Sequence, residues 1–156
     1  MNIDDDVHPE AAVAPGYLAN HATRIFNRAV DAALRPHGLS LALIGPILLL
    51  DWKGPMLQRD LVRHSAVKQP AMAALLDKLE DAGLIARARK AEDRRASLVT
   101  LTAKGQKAAA VGGAALRSAN AIGMAGLDPE EARRLVGLMQ RFIDGLEAAA
   151  GTIHHE

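Results

Sequence analysis

The chain has 156 residues and a formal net charge of +1, and 49% of its residues are hydrophobic. This length and composition are typical of one globular domain with appended helices, and no apolar run approaches the roughly 18 residues that a membrane span requires. The acidic N-terminus lacks the basic and apolar segments of a signal peptide, and the absence of cysteine excludes disulfides and thiol chemistry. We therefore expect a cytoplasmic protein that has no membrane partner.

Basic side chains are concentrated in the middle of the chain. Residues 53–107 carry twelve Lys and Arg against six Asp and Glu, a net charge of +6, whereas the remaining residues carry a net charge of −5. A basic centre between acidic ends favours a polyanionic partner that touches only the centre. Chance segregation of solvated charge is the alternative interpretation.

The first part of the chain predicts a flexible arm followed by a helix. Residues 1–15 are polar, acidic and interrupted by proline, which is typical of a disordered arm. Over residues 16–34, apolar side chains recur three and four positions apart, as on one face of a helix. Pro36 and Gly38 are expected to end this helix.

A second helix is expected over residues 41–53. Ser40 can accept a hydrogen bond from its first turn as an N-terminal cap. Pro46 should bend this helix or mark its start, since proline lacks the N–H that a helix interior uses. The sequence Lys53-Gly54-Pro55 then interrupts the helical pattern.

Two further helices follow a short link at residues 55–58. The first covers residues 59–66, and the second begins near Pro70, which a first helical turn accommodates because its missing N–H costs nothing there. Gly83 provides the C-terminal stop. The expected buried stripe of the second helix consists of Met72, Leu75, Leu76 and Leu79.

A β-hairpin is predicted after the second of these helices. Residues 97–102, with the sequence SLVTLT, alternate and are rich in strand-forming residues. Residues 84–89 can supply the other arm. The basic segment KAEDRRA, residues 90–96, would then lie at the tip.

The C-terminal third is expected to be helical. Residues 103–126 are rich in alanine, although Gly112 and Gly113 weaken the middle of that helix. A last helix over residues 127–150 begins with a capping-box pattern, in which Asp128 caps the first turn and Glu131 follows three residues later.

The predicted fold is therefore mainly α with a small β-hairpin. A helix pair followed by a two-stranded hairpin is the winged form of a helix-turn-helix, whose second helix can enter a DNA major groove about 12 Å wide. The hairpin can then reach the neighbouring backbone or minor groove.

Three short motifs carry a resemblance to a known family. They are Leu79-Glu80-x-x-Gly83-Leu84-Ile85, Asp93-Arg94-Arg95 and Val99-x-Leu101-Thr102-x-x-Gly105. In this order and spacing, the segment 39–105 resembles the MarR (multiple antibiotic resistance regulator) family of bacterial transcription regulators. The resemblance implies a winged helix-turn-helix DNA-binding domain at 39–105, an N-terminal dimerisation helix at 16–38, C-terminal dimerisation helices at 106–150 and a tail at 151–156.

The resemblance also implies that the wing tip binds DNA. Arg95 would enter the minor groove, and Asp93 would hold its guanidinium in place, which limits the side-chain entropy lost on binding. Phosphates would be contacted by Arg87, Arg89, Lys90 and Arg94. A solvated charged turn with a local Asp–Arg pair is the alternative.

The second helix of the pair would read the major groove. We expect Lys68, Gln69 and Ala73 to face DNA, since glutamine can bind adenine and lysine can reach guanine or phosphate. Pro70 would shape the approach of the helix. Lys68 and Ala73 depart from the capping and polar residues that the family often has there, so direct base readout would be thin. Further candidate phosphate contacts are Arg63 and Ser65.

The outer helices are expected to form a homodimer, because two half-sites one helical turn apart require a two-fold partner. The candidate interface residues are Leu18, Ile25, Leu138, Phe142 and Leu146, and packing within one chain is the alternative. The resemblance also implies a small, often aromatic or phenolic anion as effector, whose candidate contacts are His21, Arg24, Arg28 and Trp52. A surface base on a helix, or a tryptophan that seals the core, is the ordinary explanation of each.

The predicted function is a homodimeric regulator that binds double-stranded DNA at a pseudo-palindromic operator and represses transcription until a small ligand releases it. The alternative is a winged-helix interaction module that binds an acidic protein and not DNA. The sequence holds no phosphate-binding loop, nucleophile elbow or paired catalytic histidines, so we expect neither an enzyme nor a cofactor. The tail His154-His155-Glu156 could chelate a metal, but its terminal position favours no metal site.

Overall fold

The protein is mainly helical, with one small antiparallel sheet. A computed structural model describes residues 8–88 and 97–153, with side chains up to residue 150. The described elements are, in chain order, α1 (Pro9–Ala12), α2 (Pro15–Leu34), a 3₁₀ turn (Arg35–His37), α3 (Leu41–Lys53), β1 (Met56–Leu57), α4 (Gln58–Arg63), α5 (Gln69–Asp81), β2 (Ile85–Ala88), β3 (Leu98–Leu101), α6 (Ala103–Met124) and α7 (Pro129–Ile153). The chain divides into two compact units, residues 1–119 and residues 120–156, and the helix-turn-helix with its sheet lies within the first.

The first unit has one continuous hydrophobic core. Its largest fully buried side chains lie on α2 to α5 and on β3, and they are Val30, Leu34, Ile44, Ile47, Leu61, Met72, Leu76, Leu79 and Val99. Each such side chain stabilises the fold by roughly 1.5–3 kcal/mol when it leaves water. The predicted stripe of α5 is confirmed by this core, although Leu75 is only partly buried.

Helices α2 and α3 are joined by a tight turn with two caps. Gly38 adopts a φ of 69°, which places it in the left-handed region where glycine is favoured. The Ser40 hydroxyl accepts a hydrogen bond from the Leu43 N–H at 3.4 Å, and Asp31 of α2 accepts one from the Leu41 N–H at 2.6 Å. The predicted Ser40 cap is therefore confirmed and is reinforced by a carboxylate from the preceding helix.

Pro46 lies inside α3, five residues after the helix begins. Of the two alternatives for Pro46, the one in which it marks the start of the helix is therefore wrong. The Ser40 and Asp31 caps explain the earlier start, because they satisfy first-turn N–H groups that would otherwise lack partners.

The predicted hairpin is confirmed, and it belongs to a three-stranded sheet. Strand β2 pairs antiparallel with β3, with Arg87 opposite Val99, and β1 pairs with the other edge of β3 through Met56 and the same Val99. The strand order is β1-β3-β2. The two residues of β1 are too few for an alternating pattern, so the sequence predicted only a link there.

The end of α5 is closed by a glycine motif. Gly83 has a φ of 70° and donates its N–H to the Glu80 carbonyl, while the Leu84 N–H reaches the Leu79 carbonyl at 2.9 Å. These two bonds satisfy carbonyl groups that the last helical turn leaves unpaired. The predicted stop at Gly83 is confirmed.

The start of α6 is bonded directly to this closed end of α5. The Thr102 hydroxyl donates to the Gly83 carbonyl at 2.7 Å and accepts from the Gly105 N–H at 3.0 Å, so one side chain caps α6 and holds α5. Lys104 donates to the Ala82 carbonyl at 2.7 Å. A Cβ at Gly105 would overlap the Leu84 carbonyl oxygen, so a larger residue there would separate the two helices.

The two central glycines of α6 differ in their surroundings. Gly112 is buried, and a Cβ there would overlap Cγ1 of Ile44 and lie 2.7 Å from its Cδ1. A Cβ at Gly113 would meet only the end of the Arg117 side chain, 3.1 Å from its Nη1. The expectation that both residues merely weaken the helix is therefore incomplete, because Gly112 permits a close approach of α6 to α3.

The predicted capping box of α7 is confirmed. The Asp128 carboxylate accepts hydrogen bonds from the N–H groups of Glu130 and Glu131, at 2.8 and 2.9 Å. Glu131 returns the interaction by accepting from the Asp128 N–H at 2.9 Å. This reciprocal pair explains why α7 begins at Pro129.

The N-terminal segment contains some regular structure. Residues 9–12, which the sequence placed in a disordered arm, form one helical turn, because His8 caps it and Ala12 is buried. Within residues 8–88 and 97–153, no single helix is long and apolar enough to cross a membrane. The bent pair Pro15–His37 and Leu41–Lys53, which meets at 83°, reaches that length and apolarity only when taken together.

Candidate nucleic-acid interface

Helices α4 and α5 are joined by a short turn that Ser65 holds together. Its hydroxyl lies 3.4 Å from the Val62 carbonyl and accepts a hydrogen bond from the Val67 N–H at 3.3 Å. The side chain is partly buried. Ser65, a predicted phosphate contact, therefore has a local structural task in fixing the angle between the two helices.

The N-terminal turn of α5 presents the residues expected to face DNA. Lys68 occupies the capping position, makes no side-chain capping hydrogen bond and is exposed. Pro70 is exposed, and Gln69 and Ala73 are partly buried on one face of the helix. The N–H groups of a first helical turn lack partners within the helix, which suits them to a phosphate oxygen.

Helix α4 adds exposed positive charge beside this turn. Arg63 lies at its end with a side chain that is 73% exposed, and it pairs at 3.7 Å with Asp60 one turn earlier. Such exposed ion pairs contribute little to stability, so Arg63 can readily exchange Asp60 for another acidic partner. Arg59, which the sequence analysis omitted, is exposed four residues before Arg63 and shares its helix face. This four-residue spacing could have identified Arg59 from the sequence as a second basic side chain on the same face.

Arg87 is the main correction to the predicted contacts. Its side chain, on β2, is only 9% exposed, and its guanidinium turns towards α5. The Nη2 group donates to Asp77 at 2.6 Å and also to Glu80, and Nε donates to the same Glu80 oxygen at 3.0 Å. One positive charge thus meets two negative charges, so this cluster does not attract phosphate as a free arginine would.

The same contacts favour the charged form of Arg87. Hydrogen bonding to Glu80 raises the pKa of Arg87 above its usual value, and the bond to Asp77 acts in the same direction, while desolvation by burial opposes both. Arginine is already protonated at physiological pH. Arg87 is therefore a permanent cation that links the base of the hairpin to the helix before it.

The remaining wing candidates lie outside the described residues. They are Arg89, Lys90, Asp93, Arg94 and Arg95. On either side of them, strand β2 is described as far as Ala88 and strand β3 from Leu98, and the two strands pair antiparallel.

The candidate effector contacts on α2 form a line of side chains. Tyr17 and His21 stack with their ring centroids 5.9 Å apart, and His21 Nδ1 accepts a hydrogen bond from Arg24 at 3.2 Å. Arg28 is exposed one turn further along. Tyr17 was missed by the sequence analysis, although it lies four residues before His21, the spacing of neighbours on a helix face.

Trp52 does not seal the core. It is 77% exposed near the end of α3, and the Lys53 ammonium lies 4.4 Å from its ring centroid. The interpretation of Trp52 as a core residue is therefore wrong. The described contact of its ring is this cation–π pair with Lys53.

The candidate dimer residues are largely exposed. Leu18 and Ile25 lie on α2, and Leu138 and Leu146 lie on α7, where Phe142 is partly buried. Further exposed apolar side chains on α7 are Leu135, Val136, Met139 and Ile143. A continuous apolar stripe of this size on a helix is unusual for a surface in water.

Known proteins resemble this chain in both sequence and fold. Residues 47–97 match the sequence model of the MarR family. The chain is 32% identical over 126 residues to the HTH-type transcriptional repressor Rv2887 of Mycobacterium tuberculosis, a span of 81% of this chain and 91% of the repressor. A crystal structure of Rv2887 in complex with DNA has a TM-score of 0.70 at 30% identity, and covers 83% of this chain and 98% of that chain.

Two further structures extend this similarity. Rv2887 in complex with salicylic acid has a TM-score of 0.65 at 31% identity, over 90% of this chain and 99% of that chain. A probable transcriptional regulator from Pseudomonas aeruginosa has a TM-score of 0.71 at 26% identity, over 84% and 98% respectively. Rv2887 is described as a transcriptional repressor and the Pseudomonas aeruginosa protein as a probable transcriptional regulator. With its winged helix-turn-helix and this extended identity, the chain belongs to the MarR family of DNA-binding transcriptional regulators.

Proposed function

We propose that the protein is a homodimeric repressor that binds a pseudo-palindromic operator and releases it when a small aromatic acid binds. The observation that carries this proposal is the α4–turn–α5 pair followed directly by the β2–β3 hairpin. Its relative Rv2887 is a repressor that has been crystallised with DNA. Because the operator is DNA, the protein would act in the cytoplasm.

The first turn of α5 would enter the major groove. The exposed Lys68 can reach guanine or phosphate, and Gln69 can form two hydrogen bonds with adenine. Ala73, one turn later, offers only a methyl group, which suits contact with thymine. Few base-specific hydrogen bonds are therefore available from α5, so DNA shape and the wing would supply much of the specificity.

Phosphate contacts would surround this helix. Arg63 and Arg59 are exposed on α4, and Ser65 lies in the turn that follows. From the family motif, Arg94 and Arg95 of the wing tip would bind the backbone and the minor groove. Phosphates provide most of the affinity of such complexes but carry no sequence information directly.

The apolar stripe of α7 and the exposed apolar residues of α2 would be covered by a second copy of the chain. Two recognition helices must lie about 34–36 Å apart to read half-sites one helical turn apart, and a two-fold dimer provides that arrangement. Burial of Leu138, Phe142 and Leu146 against a partner would remove their apolar surface from water, at roughly 25 cal/mol per Å².

The effector would be an aromatic carboxylate, which is the class of ligand in the salicylic acid complex of Rv2887. Arg24 can bind a carboxylate with two parallel hydrogen bonds, and the stacked Tyr17 and His21 rings provide an aromatic surface beside it. Release of DNA requires that the ligand bind the DNA-free arrangement more tightly than the DNA-bound one, because equal affinities shift nothing.

Salt-dependent binding to duplex DNA tests the proposal. A regulator that neutralises several phosphates should lose affinity steeply as salt is added. The logarithm of its binding constant should fall with the logarithm of the salt concentration, with a slope of about −0.9 per phosphate contact. Arg95→Ala should weaken operator binding by roughly 1–3 kcal/mol, while Arg133→Ala on the polar face of α7 serves as the matched control. Failure to bind any duplex at low salt, together with capture of an acidic protein, would favour the interaction-module alternative.

A further inference from the structure

Arg87 connects two elements that contact DNA in the proposed function. Strand β2 carries the first arm of the wing, and Asp77 and Glu80 lie on the C-terminal half of α5. The guanidinium of Arg87 donates Nε and Nη2 to Glu80 and Nη2 to Asp77, so hydrogen bonds to two carboxylates fix its plane. The Arg87 side chain is only 9% exposed, whereas that of Glu80 is 31% exposed and that of Asp77 65%, so the Glu80 pair is partly shielded from water and the Asp77 pair lies at the surface. Because a partly buried ion pair is screened less than one on the open surface, the Arg87–Glu80 pair is the stronger part of this link.

The carboxylates of this cluster lie on the same helix stripe as the expected base contacts. Gln69, Ala73, Asp77 and Glu80 are separated by four, four and three residues, which is the spacing of one face of a helix. Asp77 and Glu80 thus place two carboxylates on the stripe that would face DNA, and carboxylates repel phosphate. Arg87 reduces this charge and, at the same time, ties the wing base to the helix.

We propose that Arg87 is a positioning residue that sets the separation between the major-groove helix and the wing, and thereby determines which operator flanks are accepted. This inference rests on the proposed DNA-binding function. If the wing base is held at a constant distance from α5, the wing can read only flanking base pairs at a constant distance from the major-groove half-site. Loss of the link would relax the flank preference and leave the half-site preference intact.

The experiment compares four variants of the full chain with the wild type. The operator is first selected by the wild-type protein from a random-sequence duplex pool, and the base pairs on the wing side are then altered separately from the half-site. The variants are Arg87→Gln, Arg87→Lys, Glu80→Gln and the double variant Glu80→Gln/Arg87→Gln. Circular dichroism and thermal unfolding establish that each one is folded at the assay temperature.

The wild type should lose about tenfold in affinity for each altered flank base pair, in line with the usual cost of one mismatch. Arg87→Gln should bind the selected operator more weakly, by about tenfold, and discriminate little between flanks, while keeping the wild-type discrimination at the half-site. Its salt slope should change by less than the 0.9 that loss of one phosphate contact would give, since Arg87 meets two carboxylates and not phosphate. Arg87→Lys keeps the charge but not the planar fork, so it should show the same loss at the flanks.

The double variant distinguishes a specific link from general damage. Residues joined in one ion-pair network have non-additive effects, so Glu80→Gln should cost about threefold or more in the wild type and much less in Arg87→Gln. If Arg87→Gln does not fold, Arg87→Lys decides the matter by the same flank comparison. A purely structural role would lower affinity for every duplex equally and would not change the ratio between flanks.

Three results would overturn the inference alone, and a fourth would overturn it together with the proposed function. A salt slope reduced by about 0.9 in Arg87→Gln would make Arg87 a direct phosphate contact. Unchanged flank discrimination in both Arg87 variants, or fully additive effects of residues 80 and 87, would remove the positioning role while leaving DNA binding established. A wild-type chain that retains no duplex would instead refute the proposed function, and this inference with it.

Discussion

Replacement of Gly112 by alanine should destabilise the protein, whereas the same change at its neighbour should not. The new Cβ at Gly112 would overlap Ile44, which is 1% exposed and cannot move into solvent. Inserting a methyl group into a filled core costs about 1–3 kcal/mol. At Gly113 the methyl group would meet only the end of Arg117, an exposed and flexible side chain.

The intrinsic gain from replacing glycine in a helix, about 1 kcal/mol, is shared by both variants. It cancels in their difference, so Gly113→Ala should exceed Gly112→Ala in stability by about 1–3 kcal/mol, which corresponds to roughly 2–12 °C in Tm for a chain of this size. Urea and thermal unfolding at one fixed protomer concentration measure this difference, since the stability of a dimer depends on concentration. Equal stability of the two variants would refute the close approach of α3 and α6.

Three further changes test other features. Leu138→Asp should dissociate the dimer in analytical ultracentrifugation, whereas Gln140→Asp, on the polar face of α7, should leave it intact; a dimeric Leu138→Asp would contradict the proposed interface. Asp128→Ala should lower the free energy of unfolding by about 0.5–2 kcal/mol through loss of the α7 cap, and a smaller change would mean that the helix end is frayed. Asp31→Ala should cost a similar amount in chemical denaturation. Asp31→Asn, which keeps an oxygen acceptor for the Leu41 N–H, should behave nearly as the wild type does.

Much of the fold could be predicted because its helix ends carry strong local signals. Ser40, Gly83 and the Asp128–Glu131 pair each satisfy backbone groups within a few residues, so the chain itself specifies the boundary. Strand β1 escaped prediction because its two residues form a strand only through pairing with β3, some forty positions later. The role of Gly112 escaped prediction for a related reason, since its packing against α3 depends on residues distant in sequence.

The candidate site was predicted less completely than the fold. A count of basic residues treats Arg87 as one more phosphate contact, because charge patterns alone do not show which side chains already have partners. The relevant signal was present in the sequence: Asp77 and Glu80 are one helical turn apart, and the hairpin returns past that turn. Only the three-dimensional path of β2 shows that the guanidinium faces them.

The joint between α5 and α6 determines where this protein could be cut to build chimeric regulators. The Thr102 hydroxyl, the Lys104 ammonium and the compact Gly105 all dock on the chain end formed by Ala82, Gly83 and Leu84. A graft that stopped at the last strand residue would leave these anchors to a foreign sequence. Transfer of the helix-turn-helix and its sheet to another ligand-binding protein therefore requires that the first turn of α6 be transferred with them.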